Sequence, residues 1–246
     1  MNLFVRFSFF GENFYGTQKQ KDHPSIQGLF EDLLSKIYDA PVKVTIASRL
    51  DRYVNALDFA INFFPPKEAI TLEHLSYYLR RMLPKDIFLK DVRVVPDDFS
   101  ARYSPLYKQY LYVIQNQERK NPLFNRFTFV PNKKLDPAKI QEALSLFEGE
   151  HDFQYFANME EEKNSHLTLD KTSLEEKDSY LLLRFRAKSF LRYQVRFLVG
   201  ACLSYEKGKI SQETILSLLD GKEVPYPKDK AEPQGLMLEE IHYLLS

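Results

Sequence analysis

Apolar residues recur at every second position in some runs of this chain and at three- and four-residue spacing in others, and the two kinds alternate in one order, given twice. Each pass reads strand, helix, strand pair, helix, strand. Strands interleaved with helices, with hairpin-like pairs in each half, favour an α+β chain of two split βαβ units over a parallel doubly wound sheet. The halves share no sequence repeat, so the duplication lies in the order of elements alone. It divides the chain into an N-terminal α+β half, 1–104, and a C-terminal α+β half, 105–246.

In the first half, residues 3–10 read as a strand ending at Gly11. Ser25 is placed as an N-cap, followed by Ile26, Leu29, Phe30, Leu33, Leu34 and Ile37 on one helical face. Val42 to Ile46 and Ala56 to Phe63 read as strands, which makes SRLDRYVN their connecting loop. A helix from Thr71 to Met82 and a strand from Ile87 to Val95 complete the pass. The second pass has a strand near Lys108 to Gln115 and a helix from Asp136 to Phe147. A strand pair ending in Ser179 to Ala187, helices from Phe190 to about Leu219 and a strand near Leu236 to Tyr243 follow.

Several chemistries start from weak ground. The 246 residues contain one cysteine, Cys202, so neither an internal disulfide nor a cysteine-cluster metal site is expected. The five histidines are scattered with no paired ligand spacing, and no glycine-rich phosphate loop is present. The N-terminus MNLFVRFSFFG reads as a strand rather than a signal peptide, and no apolar run approaches the roughly 18 residues of a membrane span. A soluble cytoplasmic protein with no membrane partner is the expectation.

Thirty-four basic residues cancel thirty-four acidic ones, but not evenly along the chain. Between Ser179 and Tyr205 lie Arg184, Arg186, Lys188, Arg192 and Arg196 with no acid, whereas acids including Glu160, Glu161 and Glu162 outnumber Lys163, Lys171 and Lys177 between Asn158 and Asp178. The whole-chain charge gives no hint of nucleic-acid binding, and the neutral total hides this polar division.

Three groups of residues could carry chemistry. The loop ASRLDRYVNA sets Arg49 two residues before Asp51 and Arg52 directly after it. By spacing alone this is also what a solvent-exposed turn with a weak ion pair looks like, contributing roughly 0–1 kcal/mol. In FLRYQVRFLVGACL, Leu191, Val195, Leu198 and Cys202 form an apolar stripe, and Arg192 and Arg196 share the adjoining row with Val199 and Leu203. Arg196 there either needs a half-buried acidic partner or reaches out to solvent. The tyrosines of YSPLYKQYLYVIQN, Tyr110 and Tyr112 among them, stand beside cations as RNA-stacking residues do, or simply fill a core.

Six stretches in order resemble the tRNA pseudouridine synthase A family: FFGENFYGTQKQ with SIQGLFEDLLSKI, SRLDRYVNALDFAINF, LPKDIFLKDVRVVPDDFSARYSPLYKQYLYVI, FEGEHDFQYF, FLRYQVRFLVGACL and QGLMLEEIHY. The resemblance implies the pseudouridine synthase fold, two ferredoxin-like halves with antiparallel sheets flanking a central cleft. It also implies isomerisation of uridine to pseudouridine in the anticodon stem-loop of tRNA, with no cofactor and no metal, by a homodimer. The family loop resembles Gly-Arg-Thr-Asp-Ala-Gly-Val-His-Ala, so its catalytic aspartate falls on Asp51 and its arginine on Arg49. Arg196 falls on the arginine that pairs with the aspartate, and Tyr110 on a tyrosine that stacks on the base. Arg52, Arg184, Arg186, Lys188 and Arg192 are then substrate-binding candidates.

The loop departs from the family at Ser48, Leu50, Arg52, Tyr53 and Asn55, and Thr17 stands where the family has tryptophan. Tyr53 in place of a glycine predicts a changed loop path or a partly filled cleft, because glycines supply positive φ or close backbone approach. These departures leave open a second reading, an RNA-binding paralogue with lost or altered activity. An interaction module on the same scaffold that does not bind RNA is a third.

Overall fold

The structure is a computed structural model that describes residues 1–66, 70–117, 121, 123–159 and 164–244. Glu160, Glu161, Glu162 and Lys163 of the acidic stretch lie outside the described residues. In chain order the elements are β1 (Asn2–Phe9), α1 (Ile26–Tyr38), β2 (Thr45–Ile46), β3 (Asn55–Phe63), α2 (Leu72–Met82) and β4 (Ile87–Val95). They continue with β5 (Tyr107–Gln115), α3 (Pro137–Ser145), β6 (Gly149–Asp152), β7 (His166–Leu169), β8 (Lys171–Lys177), β9 (Tyr180–Ala187), α4 (Gln194–Glu206), α5 (Gln212–Leu219) and β10 (Leu236–His242). Among the described residues no helix is long and apolar enough to cross a membrane.

The chain forms two compact units, Met1–Leu106 with the chain from Leu238 onward, and Tyr107–Met237. The last strand therefore belongs mostly with the first unit, although the order of periodicities assigned everything from residue 105 on to the second half. Its bonds show why: Asp58 on β3 accepts a hydrogen bond from the Ile241 amide at 2.9 Å, and just past the strand the Tyr243 hydroxyl donates to Ala101 O at 2.7 Å.

In the first unit the strand order is β4-β1-β3-β10, with β2 on the flank of β3. β1 pairs antiparallel with both β3 and β4, Val5 lying between Ile61 and Val92. Being an inner strand of this unit, β1 is buried at six of its eight positions. The Ser25 side chain caps α1 by accepting from the Gly28 amide at 3.2 Å, and Thr71 caps α2 by accepting from His74 N. α1 sets Phe30 against Phe7 at 4.5 Å between ring centroids, which joins the helix to the sheet. Among the unit's buried polar groups is a carboxylate: Arg6 grips Asp58 with two hydrogen bonds of 2.6 and 2.5 Å, and Lys90 lies 3.6 Å from the same carboxylate.

In the second unit β9 runs antiparallel between β5 and β8. Its alternation is regular: Leu181, Leu183, Phe185 and Ala187 are buried while Tyr180, Leu182, Arg184 and Arg186 are half-buried. Thr172 lies opposite Phe185 and its hydroxyl donates to Leu144 O of α3, so α3 covers the Phe185 face. α4 is buried along almost its whole length. One cause is the segment 226–231, which crosses it so closely at Gly200 that a Cβ there would collide with Asp229 O. The helix starts at Gln194, after Tyr193 in the left-handed conformation (φ 63), so Leu191 and Arg192 precede it rather than extending its rows.

Candidate active site

The Asp51 loop is fixed from both sides before its side chains are considered. After β2 the Ala47 amide donates to Ala60 O at 3.0 Å, and the chain then leaves the sheet. Leu50 turns inward and is buried, Arg49 is exposed and Asp51 is half-buried. Thr17 fills the space beneath: its hydroxyl donates to Ser48 O and accepts from Leu50 N, each at 2.9 Å, while its own amide donates to Leu50 O at 3.0 Å. Gly16 sits at φ 87 with Leu50 O only 2.5 Å from where a Cβ would be, so the approach requires glycine. Beyond Asp51, a turn closes from Val54 N to Asp51 O at 3.2 Å, and Asn55 accepts from Gly11 N at 2.9 Å.

Two departures from the family pattern, Thr17 and Asn55, are thus the groups that fasten the loop. Another departure, Tyr53, adopts φ 69 itself. The backbone at this place is left-handed, the conformation that a glycine supplies without strain. An aromatic residue there carries strain on the order of 1–3 kcal/mol. Next to it the Arg52 guanidinium lies over two rings, 4.5 Å from the centroid of Tyr53 and 4.0 Å from that of Tyr15. Tyr15 stacks in turn on His23, 4.1 Å away and 7° from parallel.

Replacing Thr17 by valine keeps the shape but removes this partner from the buried Leu50 N and the part-buried Ser48 O. A loss of about 1–3 kcal/mol in urea unfolding is expected, with Thr17→Ser losing clearly less.

In the second unit, Tyr110 on β5 is 5% exposed and meets Phe190 edge-on at 4.9 Å. It shares a face with Tyr112, whose hydroxyl donates to Glu232 O at 3.0 Å and whose pKa burial pushes far above the ordinary phenol value. Arg196 is 9% exposed and its Nε donates to Ala231 O at 2.8 Å. Tyr193 gathers cations, with Lys230 Nζ 4.0 Å from its ring centroid, Arg192 at 5.0 Å and Arg196 at 5.5 Å. Lys228 lies 5.1 Å over the neighbouring Phe197 and donates to Ala157 O, and burial lowers its pKa.

The structure divides the basic stripe. Arg184 and Arg186 project from the face of β9 opposite Phe185, the residue that pairs with Tyr110. Arg184 binds Glu175 at 2.8 Å. Arg186 donates to Gln109 and lies 4.5 Å over the Tyr107 ring. Lys188 is exposed at the end of that strand. Arg192 and Arg196 are instead grouped with Lys228 and Lys230, two cations that sequence patterns missed because PYPKDKAEP has no periodicity. Tyr15 and His23 were missed too, since their parallel stack follows from no spacing rule.

A family model described as tRNA pseudouridine synthase matches residues 129–244. The chain is 38% identical over 241 residues to tRNA pseudouridine synthase A of Aquifex aeolicus (strain VF5), covering 98% of each chain. It is 34% identical to tRNA pseudouridine synthase A of Dictyoglomus thermophilum, over 99% of this chain and 100% of the other. To that of Acetivibrio thermocellus it is 33% identical, over 95% and 96%. Among solved structures, an archaeal box H/ACA Nop10–Cbf5 complex matches at 11% identity with TM-score 0.36, over 79% of this chain and 44% of that one.

The class these relatives define is that of the pseudouridine synthases, which are isomerases, and the α+β fold class read from the sequence stands. Within that class the chain belongs to the tRNA pseudouridine synthase A family.

Proposed function

We propose that this chain isomerises uridine to pseudouridine in the anticodon stem-loop of tRNA, with Asp51 as the catalytic carboxylate. The observation that carries this reading is the loop: Thr17 and Asn55 fasten the backbone before and after Asp51, while Asp51 itself is half-buried rather than packed away. Holding a reacting group in one orientation removes part of the entropic barrier to reaction. The names of the full-length relatives support the reaction and the tRNA substrate.

The chemistry balances within the nucleotide. The bond from N1 to C1′ breaks, the ring turns, C5 bonds to C1′, and the proton lost from C5 is matched by one gained at N1. Asp51 acts as nucleophile at C1′ or at C6, or as the base that takes a ribose proton. Each route needs an ionised carboxylate, which nearby positive charge favours; Arg49 and Arg196 take that part by family resemblance. Tyr110 stacks on the uridine once it leaves the RNA stack. Arg192, Lys188 and Lys230 contact phosphates, and Arg184 and Arg186 do so from the other face of β9. The working unit is a homodimer.

The test is release of tritium to water from tRNA labelled at uridine C5. Release is expected from the whole transcript and from its anticodon arm, and not when the uridines of that arm are replaced by cytidine. Equal release from the replaced transcript would move the target elsewhere. A silent wild-type protein would leave the RNA-binding paralogue in its place.

A further inference from the structure

Arg52 and Tyr53 stand where the family loop has a small residue and a glycine, and nothing in the chemistry above uses them. Three observations define what they make. Tyr53 is 38% exposed although its backbone is held at φ 69, so the strain is not offset by burying the ring in a core. The Arg52 guanidinium lies over the rings of both Tyr15 and Tyr53, yet among the described residues it makes no hydrogen bond or ion pair. Its N–H donors therefore stay available while its plane is fixed by stacking. His23, parallel to Tyr15 at 4.1 Å, extends the same ladder of flat groups.

We propose that Tyr15, Arg52 and Tyr53 form a stacking platform for an unpaired nucleobase of the RNA strand, next to the nucleotide on which Asp51 acts. Aromatic faces beside an arginine are the means by which single strands are held without regard to sequence, since every base has a π-face and every nucleotide a phosphate. Tyr53 offers the face and Arg52 offers donors to the phosphate or base edge. Arg52 directly follows Asp51, so their Cα atoms are about 3.8 Å apart, and a nucleotide on the platform is an immediate neighbour of the target. The proposal rests on the reading of the chain as a tRNA-modifying enzyme, and it names which residues bind the strand there.

The chain contains no tryptophan, so Tyr53→Trp creates its sole indole at the platform. Titration of that variant with tRNA transcript is expected to quench indole emission saturably, at the concentrations where filter binding shows the complex. Arg52→Ala should raise KM for tRNA roughly tenfold, the effect of losing one charge-assisted hydrogen bond to the strand, and by more than it lowers kcat. Arg52→Lys, which keeps the charge without the plane, should recover only part. Tyr53→Gly guards against misfolding: glycine suits φ 69, so its thermal midpoint should hold while KM rises. Binding without quenching, or a native KM in a folded Tyr53→Gly, would overturn the platform. Quenching without tritium release from wild type would retain the platform as an RNA site and remove the catalytic reading; release without quenching would do the reverse.

Discussion

Asp51→Asn is expected to lower tritium release about a thousandfold or more while tRNA binding stays within roughly twofold. Three decades of rate correspond to ~4 kcal/mol of barrier, within reach when the sole group that attacks or deprotonates the substrate loses its charge. The retained binding follows from the loop's construction. The bonds that shape it run through the backbone of Ser48, Leu50 and Val54 and through the side chains of Thr17 and Asn55, so an amide of the same size at residue 51 leaves them standing. Single-turnover release and filter binding on the same preparations separate the two effects. A variant that loses both in parallel would mean that Asp51 holds the loop rather than acting on uridine.

The largest effect on stability is expected at Asp58, in the interior of the first unit. Its carboxylate takes two hydrogen bonds from Arg6, one from the Ile241 amide, and lies near Lys90, joining β1, β3 and β10. The strong bond to Asp58 also raises the pKa of Arg6. Asp58→Ala leaves a half-buried guanidinium and a buried amide without their acceptor, a change that costs about 3–5 kcal/mol when one partner of a buried pair is removed. For a chain of this length that is a fall in melting temperature on the order of 10 °C. Calorimetry or thermal unfolding by circular dichroism reads it, and a fall of only a degree or two would show that the cluster is held by water instead. Asp58→Asn, which keeps an acceptor for Ile241, should fall between.

Much of the fold was legible because its signals are local. Periodicity placed the strands and helices in order, and Ser25 caps α1 where its position before the apolar face indicates, while Thr71, read as the first residue of a helix, caps α2 instead. Where the pattern misled, another group had intervened. Val42, Val44 and Ile46 alternate inward as a strand should, but the amides of Val42 and Val44 donate to the side chains of Ser35 and Glu31 on α1. Pairing with β3 therefore starts only at Thr45. The apolar stripe on α4 was real but did not mark a helix half in water, since the crossing segment covers its other side.

The candidate site was legible as single residues and not as an assembly. Arg49, Asp51 and Arg52 could be found on one loop because they are neighbours in sequence. That Thr17 fastens the loop from thirty-odd residues away, that Tyr15 stacks on Arg52, and that Lys228 and Lys230 join Arg192 around Tyr193 and Phe197 all depend on long-range folding. The basic stripe shows the converse: residues close in sequence on β9 and ahead of α4 separate once strand alternation sends Arg184 and Arg186 to the face opposite Phe185.

Nucleoside analysis bears most directly on Asp51 as the carboxylate that isomerises uridine. A tRNA transcript is incubated with the protein, digested to nucleosides and resolved by chromatography with mass detection. With wild type, a new nucleoside of the same mass as uridine should appear in step with the uridine lost, and with Asp51→Asn it should be absent. A transcript returned with its uridines intact by the wild-type protein, or pseudouridine made equally well by Asp51→Asn, would contradict the account.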